Sequence, residues 1–254
     1  GNIAMTVAEL RFYEELNDFL VPERRKHAFP YACARWATVK NVIEALGVPH
    51  TEVELILVNG ESVDFTYLVL NGDRISVYPQ FEALDVTPLL RLRTTPLRRP
   101  RFIADAHLGV LAKYLRALGF DTLYRNDYLD DEVAGIAARE SRIVLSRDRG
   151  LLMRRSITHG CFVRATRPLA QIEELLRRLD LGRSARPFTR CLVCNEGLDL
   201  LGRDEAVGRV PEGTAACYEE FHICRHCDRV YWAGSHFRHL RRVLDAAASH
   251  GRWS

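Results

Sequence analysis

Between residues 101 and 180 the chain alternates short apolar runs with amphipathic stretches, and this alternation restricts the fold more than any other feature. Arg101-Phe102-Ile103-Ala104, Asp121-Thr122-Leu123-Tyr124, Arg142-Ile143-Val144-Leu145-Ser146 and Gly160-Cys161-Phe162-Val163 have the length of strands. Between the first two, Leu108, Leu111, Ala112, Leu115 and Leu118 recur at helical spacing, and Gly119 ends the run. Asp130 or Asp131 can N-cap a second helix with Val133, Ile136 and Ala137 inward, and Pro168 opens a last one facing inward through Ile172, Leu175, Leu176 and Leu179. Strands alternating with helices imply crossover connections and a parallel sheet.

In such a sheet, ligands bind beyond the carboxyl ends of the strands. Asp105 directly follows the first strand, and Asp148 lies just past the third. Asp131, at a helix start between them, can reach the same rim. Clustered carboxylates repel one another unless a cation lies between them, and oxygen donors suit hard ions such as Mg²⁺ or Mn²⁺. A divalent ion there activates water and offsets the charge of a pentavalent phosphorus, so the residues point to metal-assisted phosphodiester chemistry. Lys113, Arg116 and Arg147 are the candidate phosphate contacts. Each acid also has a simpler use: Asp131 suits a helix cap, and Asp148 a turn or cap after a strand.

Cys191-Leu192-Val193-Cys194 and Cys224-Arg225-His226-Cys227 are two knuckles separated by 29 residues. Two Cys-x-x-Cys turns complete a tetrahedral set, and four protein ligands leave no open position, so the expected ion is a structural zinc. A β-hairpin through the Gly202 to Gly213 region would accommodate the long gap. Cys217 and His222 are bystanders in this reading, and Cys33 and Cys161 core thiols. Seven cysteines with four in knuckles favour metal over disulfides and a reducing, cytoplasmic setting. No apolar run approaches the roughly 18–20 residues of a membrane span.

The block before residue 86 has a different grammar. An alternating strand opens at Met5, a short helix carries Val39, Val42, Ile43 and Leu46 inward, and Asn59-Gly60 and Asn71-Gly72 are turn signals between further strands. Residues 17–30 look like a polar connection. Residues 1–90 carry a net charge of −6 and residues 91–254 one of +9, so a polyanionic partner suits the C-terminal two-thirds.

Thr38-Val39-Lys40-Asn41-Val42-Ile43, Leu57-Val58-Asn59-Gly60 and Leu70-Asn71-Gly72-Asp73-Arg74-Ile75-Ser76-Val77-Tyr78-Pro79 resemble the ubiquitin-like sulfur carriers of thiamine and molybdopterin biosynthesis. Those carriers end in a free diglycine, whereas here the chain continues as Gln80-Phe81-Glu82-Ala83-Leu84-Asp85. That departure argues against sulfur carriage and for a docking or structural role.

Phe102-Ile103-Ala104-Asp105-Ala106-His107-Leu108-Gly109-Val110-Leu111-Ala112-Lys113-Tyr114-Leu115-Arg116-Ala117-Leu118-Gly119-Phe120-Asp121 and Arg142-Ile143-Val144-Leu145-Ser146-Arg147-Asp148-Arg149 resemble the PIN-like RNase family first described as the C-terminal domain of the Mut-seven exonuclease. The resemblance spans essentially the whole chain. It implies an α/β fold in which a ubiquitin-like β-grasp domain (5–85) and a linker (86–100) precede a PIN-like nuclease domain (101–182), followed by a small zinc ribbon with a basic C-terminal helix (186–254). It implies a metal-dependent ribonuclease, with Asp105 and Asp148 on the strand-end acidic positions and Asp131 on the helix-start position. Ser146 stands where such domains usually have Thr, and Arg164-Ala165-Thr166 offers no fourth carboxylate, which leaves Asp127 or Asp130 to substitute. RNA is then the expected partner, with a further protein partner for the ubiquitin-like domain. The alternative is a non-catalytic RNA- or ribosome-binding adaptor that reads through the zinc ribbon and its basic surface.

Overall fold

A computed structural model describes residues 5–79, 100–179 and 181–250. The expected linker at 86–100 lies almost entirely outside the described residues. The described chain forms two compact units. One gathers the N-terminal block with Ser146–Phe162, and the other holds the segments up to Leu145 and from Val163 onward.

In the first unit, β1 (Met5–Phe12) alternates exposed and buried side chains along its length. It pairs with β2 (Phe29–Ala34) in antiparallel fashion and with β5 (Arg74–Pro79) in parallel. Helix α1 (Val39–Ala45) is N-capped by Thr38, whose hydroxyl accepts the Asn41 N–H, and it buries Val39, Val42 and Ile43. With β3 (Val53–Val58) and β4 (Glu61–Ser62), the sheet order is β2-β1-β5-β3-β4, a β-grasp arrangement. Strand β2 falls partly in what the sequence presents as a polar connection. Pro30 argues against a strand, yet β2 is at the sheet edge, where a missing N–H costs no ladder bond.

The segment Ser146–Phe162 packs on this module rather than standing apart from it. Helix α4 (Arg149–Leu152) and β9 (Gly160–Phe162) belong to it. The Phe162 ring meets Phe19 edge-on at 5.3 Å, and the Phe162 N–H donates to the Glu52 carboxylate. A Cβ on Gly160 would lie 2.8 Å from Leu152 Cδ2 and 3.1 Å from Thr51 Cβ, so glycine permits the approach. Residues 146–162 therefore share a compact unit with the N-terminal block, a grouping that periodicity does not show, because it reveals that an element exists but not which surface it covers.

In the second unit, β6 (Phe102–Ala104) pairs in parallel with β7 (Thr122–Leu123) and with β8 (Ile143–Ser146). Helix α2 (Gly109–Ala117) buries Leu111, Ala112 and Leu115, and α3 (Asp130–Glu140) buries Val133, Ala134 and Ala137. Helix α5 (Pro168–Arg178) opens on Pro168 as expected. The ribbon sheet is β10 (Asp199–Leu201), β11 (Phe221–Ile223) and β12 (Val230–Tyr231), all antiparallel. Between the knuckles, β10 and β11 form the expected antiparallel pair, and the long connection through Gly202 to Gly213 carries α6 (Arg203–Ala206) and α7 (Thr214–Cys217). Helix α8 (Ser235–His250) follows.

Candidate active site and metal centre

Asp105 is the residue at which β6 ends. Its N–H donates to Leu145 O at 3.0 Å, the last rung between β6 and β8, and its Oδ1 accepts the His107 N–H at 3.0 Å. That turn aims the chain into α2. Gly109 is required at the helix start because a Cβ there would lie 2.6 Å from the Tyr124 hydroxyl, which donates to Ala106 O.

Asp148 follows β8 by two residues and N-caps α4, its Oδ1 accepting the Gly150 N–H at 2.7 Å. The hydroxyl of the buried Ser146 accepts the Asp148 N–H at 2.8 Å. The next residue is held by the β-grasp module. The Arg149 guanidinium lies 4.7 Å from the Phe19 ring centroid and 5.8 Å from that of Phe162, and it donates to Phe19 O. This contact is not visible in sequence, since nothing near Phe19 marks it as a neighbour of residue 149.

Asp131 lies exposed in the first turn of α3, but it is not the cap. The N-cap is Leu129, whose N–H donates to Glu132 Oε2 at 2.9 Å. Asp127 is paired with Arg125 at 2.7 Å, and Asp130 shares the first turn of α3 with Asp131. Near Arg164-Ala165, the buried Glu174 carboxylate accepts both backbone N–H groups and pairs with Arg178 at 2.9 Å. Among the described residues, the set of three or more ligand atoms gathered closely enough to hold an ion is that of the four cysteines.

Of the three expected phosphate contacts, Lys113 and Arg147 are exposed. Arg116 is not available. It is 5% exposed, and its Nε donates to Thr122 O at 2.9 Å while Nη1 donates to Leu192 O and Val193 O, both at 3.0 Å. Its place on α2 suggests a surface charge, but the ribbon covers that face and turns the guanidinium into a brace for the first knuckle.

Both knuckles share one geometry. The Cys191 N–H donates to Glu196 O and the Cys224 N–H to Arg229 O, and Asn195 and Asp228, directly after the second cysteines, take positive φ angles of 67° and 59°. Cys191 and Cys227 sulfurs lie 3.5 Å apart, Cys194 and Cys224 likewise, and Cys194 and Cys227 4.0 Å. A tetrahedron with metal–sulfur bonds of about 2.3 Å has edges of about 3.8 Å, so the set fits a metal ion. Burial raises the Cys191 thiol, but hydrogen bonds from the Tyr231 hydroxyl and the N–H groups of Cys194 and Val193 outweigh it and bring it down to about 6. Cys194, beside Cys224 and Cys191, is pushed up by burial and those neighbours to about 12. Cys217 is exposed outside the set, and His222 stacks on Phe188 at 5.2 Å instead of joining it.

The first knuckle is bolted to the sheet. Asn195 Oδ1 accepts the Thr122 N–H at 3.0 Å and its Nδ2 donates to Asp121 Oδ1 at 2.7 Å. Asp121 also binds the buried Arg142 at 2.7 Å. Burial pushes the Asp121 carboxyl up, but Arg142 and Asn195 outweigh it and hold it below the usual range. A depressed carboxyl stabilises the fold above its unfolded pKa of about 3.9 and loses that contribution as pH falls through the folded value. Asp121→Asn is expected to lower stability at pH 7 by on the order of 2 kcal/mol, less than the roughly 3–5 of a fully buried pair. Its deficit should shrink below about pH 4, as measured by urea unfolding across pH; a deficit independent of pH would show that the charge is not what acts.

The chain thus combines an α/β unit, built on a parallel sheet and carrying a four-cysteine ribbon, with a β-grasp module. A family model described as the Mut7-C RNAse domain matches residues 100–244, and one described as Mut7-C ubiquitin matches residues 5–85. The chain belongs to the Mut7-C RNAse domain family. The matched span includes the ribbon, which Arg116 and Asn195 tie to the parallel sheet. Among solved structures, H. volcanii small archaeal modifier protein 1 is similar at 19% identity and a TM-score of 0.24, covering 29% of this chain and 97% of its own. No curated protein matches the chain significantly.

Proposed function

We propose that this protein is a divalent-cation-dependent ribonuclease whose Mg²⁺ or Mn²⁺ is held by Asp105, Asp131 and Asp148. The observation that carries the reading is the placement of Asp105 at the carboxyl end of β6 in a chain of the Mut7-C RNAse family, with the parallel neighbour β8 running on to Asp148. Carboxylate oxygens fit a hard ion, and backbone donors to Asp105 Oδ1 and Asp148 Oδ1 fix how each carboxylate is turned. The ion would supply the Lewis acidity that lets water attack phosphorus near neutral pH. The chain's own contribution is to orient the acids through Ser146 and Gly150 and to set the exposed Lys113 and Arg147 against phosphate charge. The cysteine set takes a structural Zn²⁺, and thiols kept reduced for it suit the cytoplasm. The ubiquitin-like module would take a protein partner.

RNA cleavage by the wild type with Mg²⁺, with Mn²⁺ and after chelation tests the reading, with Asp105→Asn alongside. Cleavage should require the ion and fall on the order of a hundredfold or more in the variant. Cleavage indifferent to both would remove Asp105 from the site. The alternative is the adaptor reading, which rests on the ribbon's four-cysteine set and expects salt-dependent RNA binding without turnover.

A further inference from the structure

A cavity of about 580 Å³ opens between α2 and the ribbon, within the second unit. Ligand pockets run from about 300 to 1,000 Å³, so it has the capacity for a small organic group. Tyr114, Phe188, Tyr218, Tyr231, Trp232 and Phe237 bring their rings to its wall. Lys113 and Arg190 are the charged residues that line it among the described residues, with no Asp or Glu beside them there. Aromatic faces with cations and without acids match the chemistry of a nucleobase on a polyanionic backbone.

Its position adds a second argument. Val110 and Lys113 also line a smaller cavity of about 410 Å³ at the start of α2, together with His107 and Tyr124. His107 donates its N–H to Asp105 and Tyr124 its hydroxyl to Ala106, so this smaller cavity is built from the turn that carries Asp105. Among the described residues no acid lines it either. The exposed Lys113 stands between the two spaces, about one helical turn along α2 from its first residue.

We propose that the aromatic cavity receives an unpaired base of a single-stranded RNA, one that flanks the phosphate presented to Asp105, while Lys113 contacts the backbone between them. The inference rests on the ribonuclease reading and names the substrate class of that same site. A base inside a duplex is stacked on both faces and cannot enter such a slot, so the cavity selects single strands.

The test uses full-length protein and single-stranded oligoribonucleotides carrying 2-aminopurine at successive positions, bound in Ca²⁺ to slow turnover. One position should be quenched, unlabelled single strands should compete, and duplexes should not. Tyr114→Ala should abolish the quench and raise KM about tenfold or more with a smaller change in kcat, while Tyr114→Phe keeps both near wild type. Lys113→Gln, at an exposed position that does not endanger folding, should weaken binding and lower the salt slope by about one unit. Quenching at no position, equal competition by duplex, or an unchanged KM in Tyr114→Ala would overturn the proposal. If wild type cleaves RNA and Tyr114→Ala cleaves it equally well, the cavity assignment falls and the nuclease reading stands. If wild type never cleaves but the quench is present and lost in Tyr114→Ala, the cavity binds bases and the nuclease reading falls.

Discussion

Asp148→Asn is expected to abolish RNA cleavage while leaving the protein folded. The two expectations separate because Asp148 has two jobs. Its Oδ1 accepts the Gly150 N–H and so caps α4, and its backbone N–H is held by Ser146. Asn caps a helix about as well as Asp, so both bonds survive the substitution. What is lost is one negative charge and the ability of two equivalent oxygens to bind a hard cation. The cleavage rate in single turnover should fall on the order of a hundredfold or more, with the thermal midpoint within a degree or two of wild type. Asp148→Ala should do both kinds of damage, losing activity and about 1 kcal/mol of cap. If Asp148→Asn cleaves normally, the residue is only a cap, and the carboxylate site as proposed does not exist.

The second large effect is expected at the cysteines. The ribbon's own buried cluster consists of Leu201, Ala206, Phe221 and Ile223, far fewer side chains than the core of the β-grasp module. So small a core does not stabilise a fold by itself. Metal binding in comparable small domains contributes about 10–16 kcal/mol near neutral pH, so an ion held by the four cysteines would dominate the ribbon's stability. Cys224→Ser, or a strong thiol-competing chelator, should therefore unfold 186–244 and expose it to limited proteolysis. The damage should spread to the edge of the parallel sheet. Once the knuckle opens, Arg116 loses its two carbonyl acceptors at Leu192 and Val193, and the Thr122 N–H loses Asn195. A buried guanidinium that keeps only its Thr122 acceptor is costly. The β-grasp core should resist the protease throughout. Wild-type protease resistance with one equivalent of metal lost would show that the ribbon stands without its ion.

Much of this was legible in one dimension because the signals are local. The apolar stripe of α2, the N-cap Thr38, the turn at Asn59-Gly60 and the two Cys-x-x-Cys knuckles each lie within a few residues. Strand β2 was hidden by Pro30, whose defect vanishes only because the strand lies at an edge. The helices α6 and α7 were hidden because each is only four residues long, too short to show a period. Asp131 looked like a cap, but a Glu three positions past Leu129 supplies that bond instead.

The order of amino acids alone carried most of the elements, the four-cysteine set that can hold an ion and the placement of Asp105 and Asp148 beyond strand ends. Periodicity and spacing carry that information. The tertiary structure alone decided that Arg116 is a brace and not a phosphate contact, that residues 146–162 rest on the β-grasp module, and that Tyr114 and Lys113 share a cavity with the ribbon. Each of these depends on which distant surface covers a side chain. Burial and partners are set by that long-range packing, and the same arginine on the same helix is a surface charge or an anchor according to what lies over it.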